Sequence, residues 1–163
     1  MMMPDLKVVV ATAGPGEASV PLLALPLPED ANAQSGALQA IDERVGRIVS
    51  ATLSRGDFRG RKDEVLLLYT AAAGSGIERI VLVGMGKRED AGLSRLRRAV
   101  GNAVRQAERL RVRAVALQVE QVAQATGLDS QFVARTAADA AVMSAWDYRE
   151  LKTDRESAEA VPV

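Results

Sequence analysis

The stretch Arg79-Ile80-Val81-Leu82-Val83-Gly84-Met85-Gly86-Lys87 limits what this chain can fold into more than any other. Ile80 to Val83 are consecutive apolar residues, three of them β-branched. That pattern suits a strand covered on both faces, as in a parallel or mixed sheet flanked by helices. The spacing therefore predicts a layered α/β domain. It also raises a functional question, because a Gly-x-Gly-Lys turn leaving such a strand is a place where α/β proteins bind phosphates.

The remaining segments fit the same architecture. Leu6 to Ala13 reads as a first strand ending in a Gly14-Pro15-Gly16 turn, and Val20 to Leu25 as a second strand closed by Pro26 and Pro28. From Ser35 to Leu53, Leu38, Ile41, Val45, Ile48, Val49 and Leu53 recur at helical spacing, with Asp42, Glu43, Arg44 and Arg47 assigned to the opposite, polar face. A glycine-punctuated loop from Ser54 to Asp63 precedes another strand, Val65 to Tyr69. After Lys87, Ser94 is the expected N-cap of a helix ending near Leu110, and Ala114 to Val119 the next strand. Asp129 is the expected cap of a last helix, with Leu128 and Val133 as a hydrophobic staple.

Composition narrows the chemistry. The chain has 163 residues, enough for one domain with a sizeable core, and its 21 basic and 21 acidic side chains balance. A balanced charge gives no general attraction to nucleic acid or membrane. There is no cysteine and no histidine. Thiolate and imidazole catalysis, His-ligated zinc and disulfides are therefore excluded. No signal-peptide pattern opens the sequence, and no run of about 18 apolar residues follows. A soluble, cytoplasmic protein is expected.

Four features are candidate sites. In the glycine turn, Glu89 stands where a dinucleotide fingerprint needs a third glycine, and Arg88 where a P-loop needs Ser or Thr. Turn geometry with a solvated lysine is thus the preferred reading, and Gly84, Gly86 and Lys87 stand as candidate phosphate-binding residues only. Between Lys87 and Arg113, nine basic residues face only Glu89, Asp90 and Glu108. With no aromatic among them to stack a base, a solvated or subunit-facing helix surface is expected rather than a nucleic-acid site. The acidic pairs Asp42-Glu43, Asp63-Glu64 and Glu89-Asp90 are sequence neighbours that point apart, so no metal site is assigned. Trp146 and Tyr148 read as anchors of the last helix. No catalytic residue emerges.

Four segments in order resemble the N-terminal domain of the leucyl (cytosol) aminopeptidases. Arg55-Gly56-Asp57-Phe58-Arg59-Gly60-Arg61 with the following strand is similar to that family's Phe-x-Gly-Lys loop and strand. Ile80 to Lys87 is similar to its Val-Leu-Leu-Val-Gly-Leu-Gly-Lys segment, and Leu96-Arg97-Arg98-Ala99-Val100-Gly101 to the helix after it. Trp146-Asp147-Tyr148-Arg149-Glu150-Leu151-Lys152-Thr153 is similar to a Tyr-x-Phe-Asp-x-Tyr-Lys-Ser pattern, departing from it at Trp146, Arg149 and Leu151. The resemblance implies an α/β/α sandwich of macro-domain type with a mixed, mostly parallel sheet over residues 1–152, and a tail or linker from 153 to 163. It also implies relatives that are cytosolic, generally hexameric two-metal exopeptidases. Their zinc or manganese ions and catalytic residues sit in a C-terminal domain whose motifs do not occur here. The expected role is that of a non-catalytic domain serving assembly and active-site access; the alternative is a stand-alone module binding ADP-ribose or a related nucleotide.

Overall fold

The computed structural model describes residues 7–11, 19–70 and 74–145. Five strands, β1 (Lys7–Ala11), β2 (Leu23–Leu27), β3 (Val65–Tyr69), β4 (Arg79–Gly84) and β5 (Ala114–Gln118), form one sheet in the order β1-β5-β2-β4-β3. All neighbours are parallel except β3, which runs antiparallel to β4 at the edge. The mixed, mostly parallel sheet expected from the sequence is therefore present.

Side chains alternate across this sheet. Leu23, Leu25, Leu27, Ile80, Leu82 and Ala116 join one buried cluster, and Leu22, Ala24, Val81, Val83, Val115 and Leu117 join another. The first is covered by α1 (Gly36–Arg44), α2 (Ile48–Arg55) and Phe58. The second is covered by α3 (Leu93–Leu110), α4 (Val119–Thr126) and α5 (Ser130–Ala145). A helical layer on each face makes a three-layer α/β/α sandwich, and explains why the central strands read as unbroken apolar runs. On the second face, Ala99, Ala103 and Ala107 of α3 and Ala137, Ala140 and Ala141 of α5 bring the two helices close. A Cβ at Gly101 would already lie 3.0 Å from the Ser144 hydroxyl.

Several local expectations are corrected. The helix expected from Ser35 to Leu53 is two helices, because Gly46 and Arg47 take left-handed backbone angles (φ 76° and 60°) between them. The apolar period survives the break because both helices cover the same cluster, so periodicity alone could not reveal it. Asp42, assigned to the polar face, is buried. Its Oδ1 accepts from the Val49 and Ser50 amides at 2.8 and 3.1 Å, satisfying donors at the start of α2. Gln124 of α4 does the same for α1, accepting from the Ala37 amide at 2.8 Å.

The second strand runs Leu23–Leu27, with Val20 in an isolated bridge to Ile77, and Pro26 lies inside it rather than closing it. Along β2 the Leu27 carbonyl turns to β4 and the Leu22 carbonyl to β5, so Pro26 directs its missing N–H toward the β5 side. Pairing with β5 has stopped at Ala24, so no ladder bond is lost there. The Pro26 carbonyl instead accepts from Gln121 Nε2 at 3.2 Å. Gly92, not Ser94, is the N-cap of α3, and Val119 begins α4, a helix that the sequence reading did not anticipate. At α5 the expectation holds, since Asp129 Oδ1 accepts from the Gln131 amide at 2.9 Å and Val133 is fully buried. Ala71–Ala73, the Gly14-Pro15-Gly16 turn, Trp146 and Tyr148 lie outside the described residues.

Candidate functional site

The glycine turn at the end of β4 is held by backbone from three directions. The Gly84 amide donates to the Glu64 carbonyl at 2.7 Å, the Met85 amide to the Leu27 carbonyl at 2.9 Å, and the Gly86 amide to the Gly60 carbonyl at 2.8 Å. In return the Gly84 carbonyl accepts from Asp63, and that of Gly86 from Glu29. A phosphate cradle needs free amides pointing at the ligand. Here the amides of Gly84, Met85 and Gly86 are all committed within the fold. Lys87 is exposed just beyond them.

The partner in this arrangement is the loop after α2. Glu64 folds back so that its carboxylate accepts from the Arg59 and Arg61 amides at 3.0–3.2 Å, which shapes the loop. Gly60 takes φ 72°, and a Cβ there would sit 2.5 Å from the Pro28 carbonyl oxygen. Phe58, 1% exposed, plugs the loop into the core beside α2. Two motifs that stand apart in the sequence, Phe58-Arg59-Gly60-Arg61 and Gly84-Met85-Gly86-Lys87, thus form one interlocked backbone unit. Spacing gives no signal of this, because the contact is between main-chain atoms.

One ion pair ties the loop to α3. Arg98 donates from Nε and Nη2 to the two Asp63 carboxylate oxygens at 3.0 and 2.6 Å, with Asn102 at 3.5 Å. The hydrogen bond from Arg98 holds the Asp63 carboxyl below its ordinary value against the opposing desolvation, with the Arg98 charge and the Asn102 hydrogen bond adding to it. A depressed carboxylate pKa stabilises the fold above the unfolded value of about 3.9, and that contribution disappears as pH falls through the folded value. Both side chains are exposed, at 57% and 38%, so solvent screens the pair and its contribution is small. Arg98→Ala should therefore unfold slightly more easily than the wild type in urea at neutral pH, with the difference vanishing in strong acid. A difference that persists in acid would mean that Arg98 acts through packing instead.

The other candidate residues are dispersed. Arg97, Arg105, Arg109, Arg111 and Arg113 are exposed along and beyond α3, while Arg95 Nη1 donates to the Met85 carbonyl at 3.2 Å and Arg88 pairs with Asp30 at 2.7 Å. Among the described residues no three acidic, His or Cys side chains are grouped to hold a metal ion. With Asp42 and Glu64 occupied by backbone amides and Asp63 by Arg98, these residues do not fit the two divalent ions that the resemblance implies. An open cleft of about 430 Å³ lies beside the loop, lined by Pro28, Glu29, Leu53, Phe58, Arg59 and Arg61. No helix among the described residues is long and apolar enough to cross a membrane.

Comparison with known proteins agrees with the motifs. The model of the cytosol aminopeptidase family, N-terminal domain, matches residues 22–155. A probable cytosol aminopeptidase of Acidobacterium capsulatum is 32% identical over 114 residues, covering 70% of this chain and 22% of the relative. One of Nitratidesulfovibrio vulgaris is 37% identical over 107 residues, covering 63% and 21%. The chain thus spans less than a quarter of the length of either relative. Among solved structures, a tomato leucine aminopeptidase mutant superposes with a TM-score of 0.66 at 23% identity, covering 88% of this chain and 29% of that one. The macrodomain of Mycobacterium tuberculosis DarG superposes with a TM-score of 0.64 at 16% identity, covering 83% and 90%. The fold is shared with both, and the match over residues 22–155 shows that this chain belongs to the cytosol aminopeptidase family, as its N-terminal domain.

Proposed function

We propose that this chain is a non-catalytic N-terminal domain of a leucyl aminopeptidase, serving assembly and active-site access while the metals and the peptide chemistry belong to a catalytic domain joined or bound to it. The observation that carries this reading is the family match over residues 22–155, in a chain that spans about a fifth of the relatives it resembles. A cytoplasmic location, homo-oligomeric assembly of the hexameric kind, and zinc or manganese in the catalytic domain follow from the same reading. The interlocked glycine turn then serves the fold, since its backbone donors are spent on the neighbouring loop.

Purified residues 1–163 should not hydrolyse a leucine anilide when manganese or zinc is added. Turnover that stays with this chain through purification would overturn the non-catalytic assignment. If the domain serves access, adding it to the catalytic region of a relative should change KM for longer peptides while leaving the anilide rate nearly constant.

A second reading is favoured by the place where the pairing of β2 with β5 ends. Pairing ends at Ala24 and Leu117, and beyond it the buried side-chain oxygens of Gln118 and Gln121 have no hydrogen-bond partner among the described residues. Open α/β sheets bind ligands where neighbouring strands diverge at their carboxyl ends. A nucleotide such as ADP-ribose would supply donors to these oxygens. Calorimetry with millimolar ADP-ribose decides this: absence of heat removes the reading, and saturable binding lost in Gln118→Leu supports it.

A further inference from the structure

α5 is apolar on two sides. Its inner face, with Val133, Ala137, Ala140 and Ala141, is buried against the sheet and α3. Its outer face exposes Phe132, Val142 and Met143 at 60%, 63% and 64%, three of the four exposed large hydrophobic side chains among the described residues. The fourth, Tyr69, is covered on its ring by Arg79, whereas the three on α5 form one stripe. Between them lie Arg135 and Asp139, exposed and without an ion pair to any described residue.

The stripe is symmetric in sequence. Phe132 and Val142 are equidistant from position 137, as are Arg135 and Asp139, and Gln131 and Met143. When two copies of one helix pack antiparallel about a twofold axis, residues equidistant from the axis on opposite sides face each other across the contact. In that arrangement Phe132 meets Val142, and Arg135 meets the oppositely charged Asp139 twice over. Had either charge the other sign, the pairing would be repulsive.

We propose that the outer face of α5 is an isologous docking surface for a second copy of this chain, with antiparallel α5 helices centred near residue 137 and Arg135 paired to Asp139 of the partner. This surface belongs to the 163-residue chain itself and does not depend on the aminopeptidase reading. A contact confined to one helix per protomer lies at the small end of protein interfaces, below roughly 1,200 Å², so a micromolar dimer is expected.

Sedimentation of the full chain tests it. The wild type should show a reversible monomer–dimer equilibrium. Arg135→Asp and Asp139→Arg, each setting like charges against each other, should separately weaken it by at least about tenfold. Mixed together, the two variants should recover a heterodimer, because one protomer then presents carboxylates at both positions and the other presents guanidinium groups at both. Both positions are exposed, so unchanged melting temperatures separate lost association from lost folding. A wild type that stays monomeric up to roughly 1 mM overturns the proposal and leaves residues 146–163 or a further domain as the alternative occupants of this face. Single variants that associate like the wild type, or fail to recover on mixing, overturn it too.

Discussion

Gly84→Ala should be among the most damaging single-methyl additions to this protein, lowering stability by about 3 kcal/mol or more. The cause is space and not backbone freedom, since Gly84 takes no left-handed angle. A Cβ at that position would stand 1.7 Å from the Arg61 carbonyl oxygen, with the Gly60 carbonyl carbon at 2.8 Å. These are main-chain atoms held in place by the amides of Glu64 and Gly86, so no side-chain rotation relieves the overlap. For a chain of this size, that loss should lower the melting temperature by roughly 6–12 °C. Two other glycines calibrate the result. Gly86→Ala should cost about 1–2 kcal/mol, chiefly from its left-handed φ of 79°, because the nearest obstacle is the movable Arg95 guanidinium. Gly92→Ala meets nothing within 4 Å and should cost only about 1 kcal/mol or less, the N-cap preference for glycine over alanine. If Gly84→Ala melts within about 2 °C of the wild type, the loop retreats freely and the interlocked turn is not a structural constraint.

Phe58→Ala should cost about 3–5 kcal/mol, the usual range for emptying a buried aromatic site. Phe58 is the largest fully buried side chain among the described residues and fastens a loop that is otherwise polar. Its loss therefore acts twice, leaving a cavity between α2 and the sheet and freeing the segment whose Gly60 carbonyl accepts the Gly86 amide. Urea denaturation measures the first effect. Hydrogen exchange reads the second, with the Gly86 amide losing protection well before the β4 amides of Val81 and Val83. If Gly86 stays as protected as its neighbours on β4, the loop is held without Phe58, and only the cavity cost remains.

The legibility of this chain is uneven for reasons that these residues make plain. The run Ile80 to Val83 is readable because burial on both faces of a sheet selects consecutive apolar, β-branched residues, and Val65 to Tyr69 because a short apolar run after a polar, glycine-punctuated loop reads as a strand even at a half-buried edge. Asp129 is readable as a cap because its side chain acts on its own chain two residues ahead. The break at Gly46 and Arg47 is hidden because two helices on one face keep a single apolar period. Asp42 reads as a surface charge, since the amides it satisfies lie across that break. Pro26 reads as a strand end, since only the sheet order reveals that its missing donor faces a side where pairing has stopped.

The sequence by itself determined the fold class, the absence of thiol and imidazole chemistry, and the order of motifs that places the chain among the cytosol aminopeptidases. These depend on residue type, local periodicity and linear order. Tertiary structure alone decided where the amides of Gly84, Met85 and Gly86 point. They could have faced a ligand or the fold, and the outcome turned on main-chain atoms of Gly60, Arg61 and Glu64, about twenty residues upstream or more. Backbone carbonyls are the same in every residue, so no side-chain pattern could announce where they would meet Gly84.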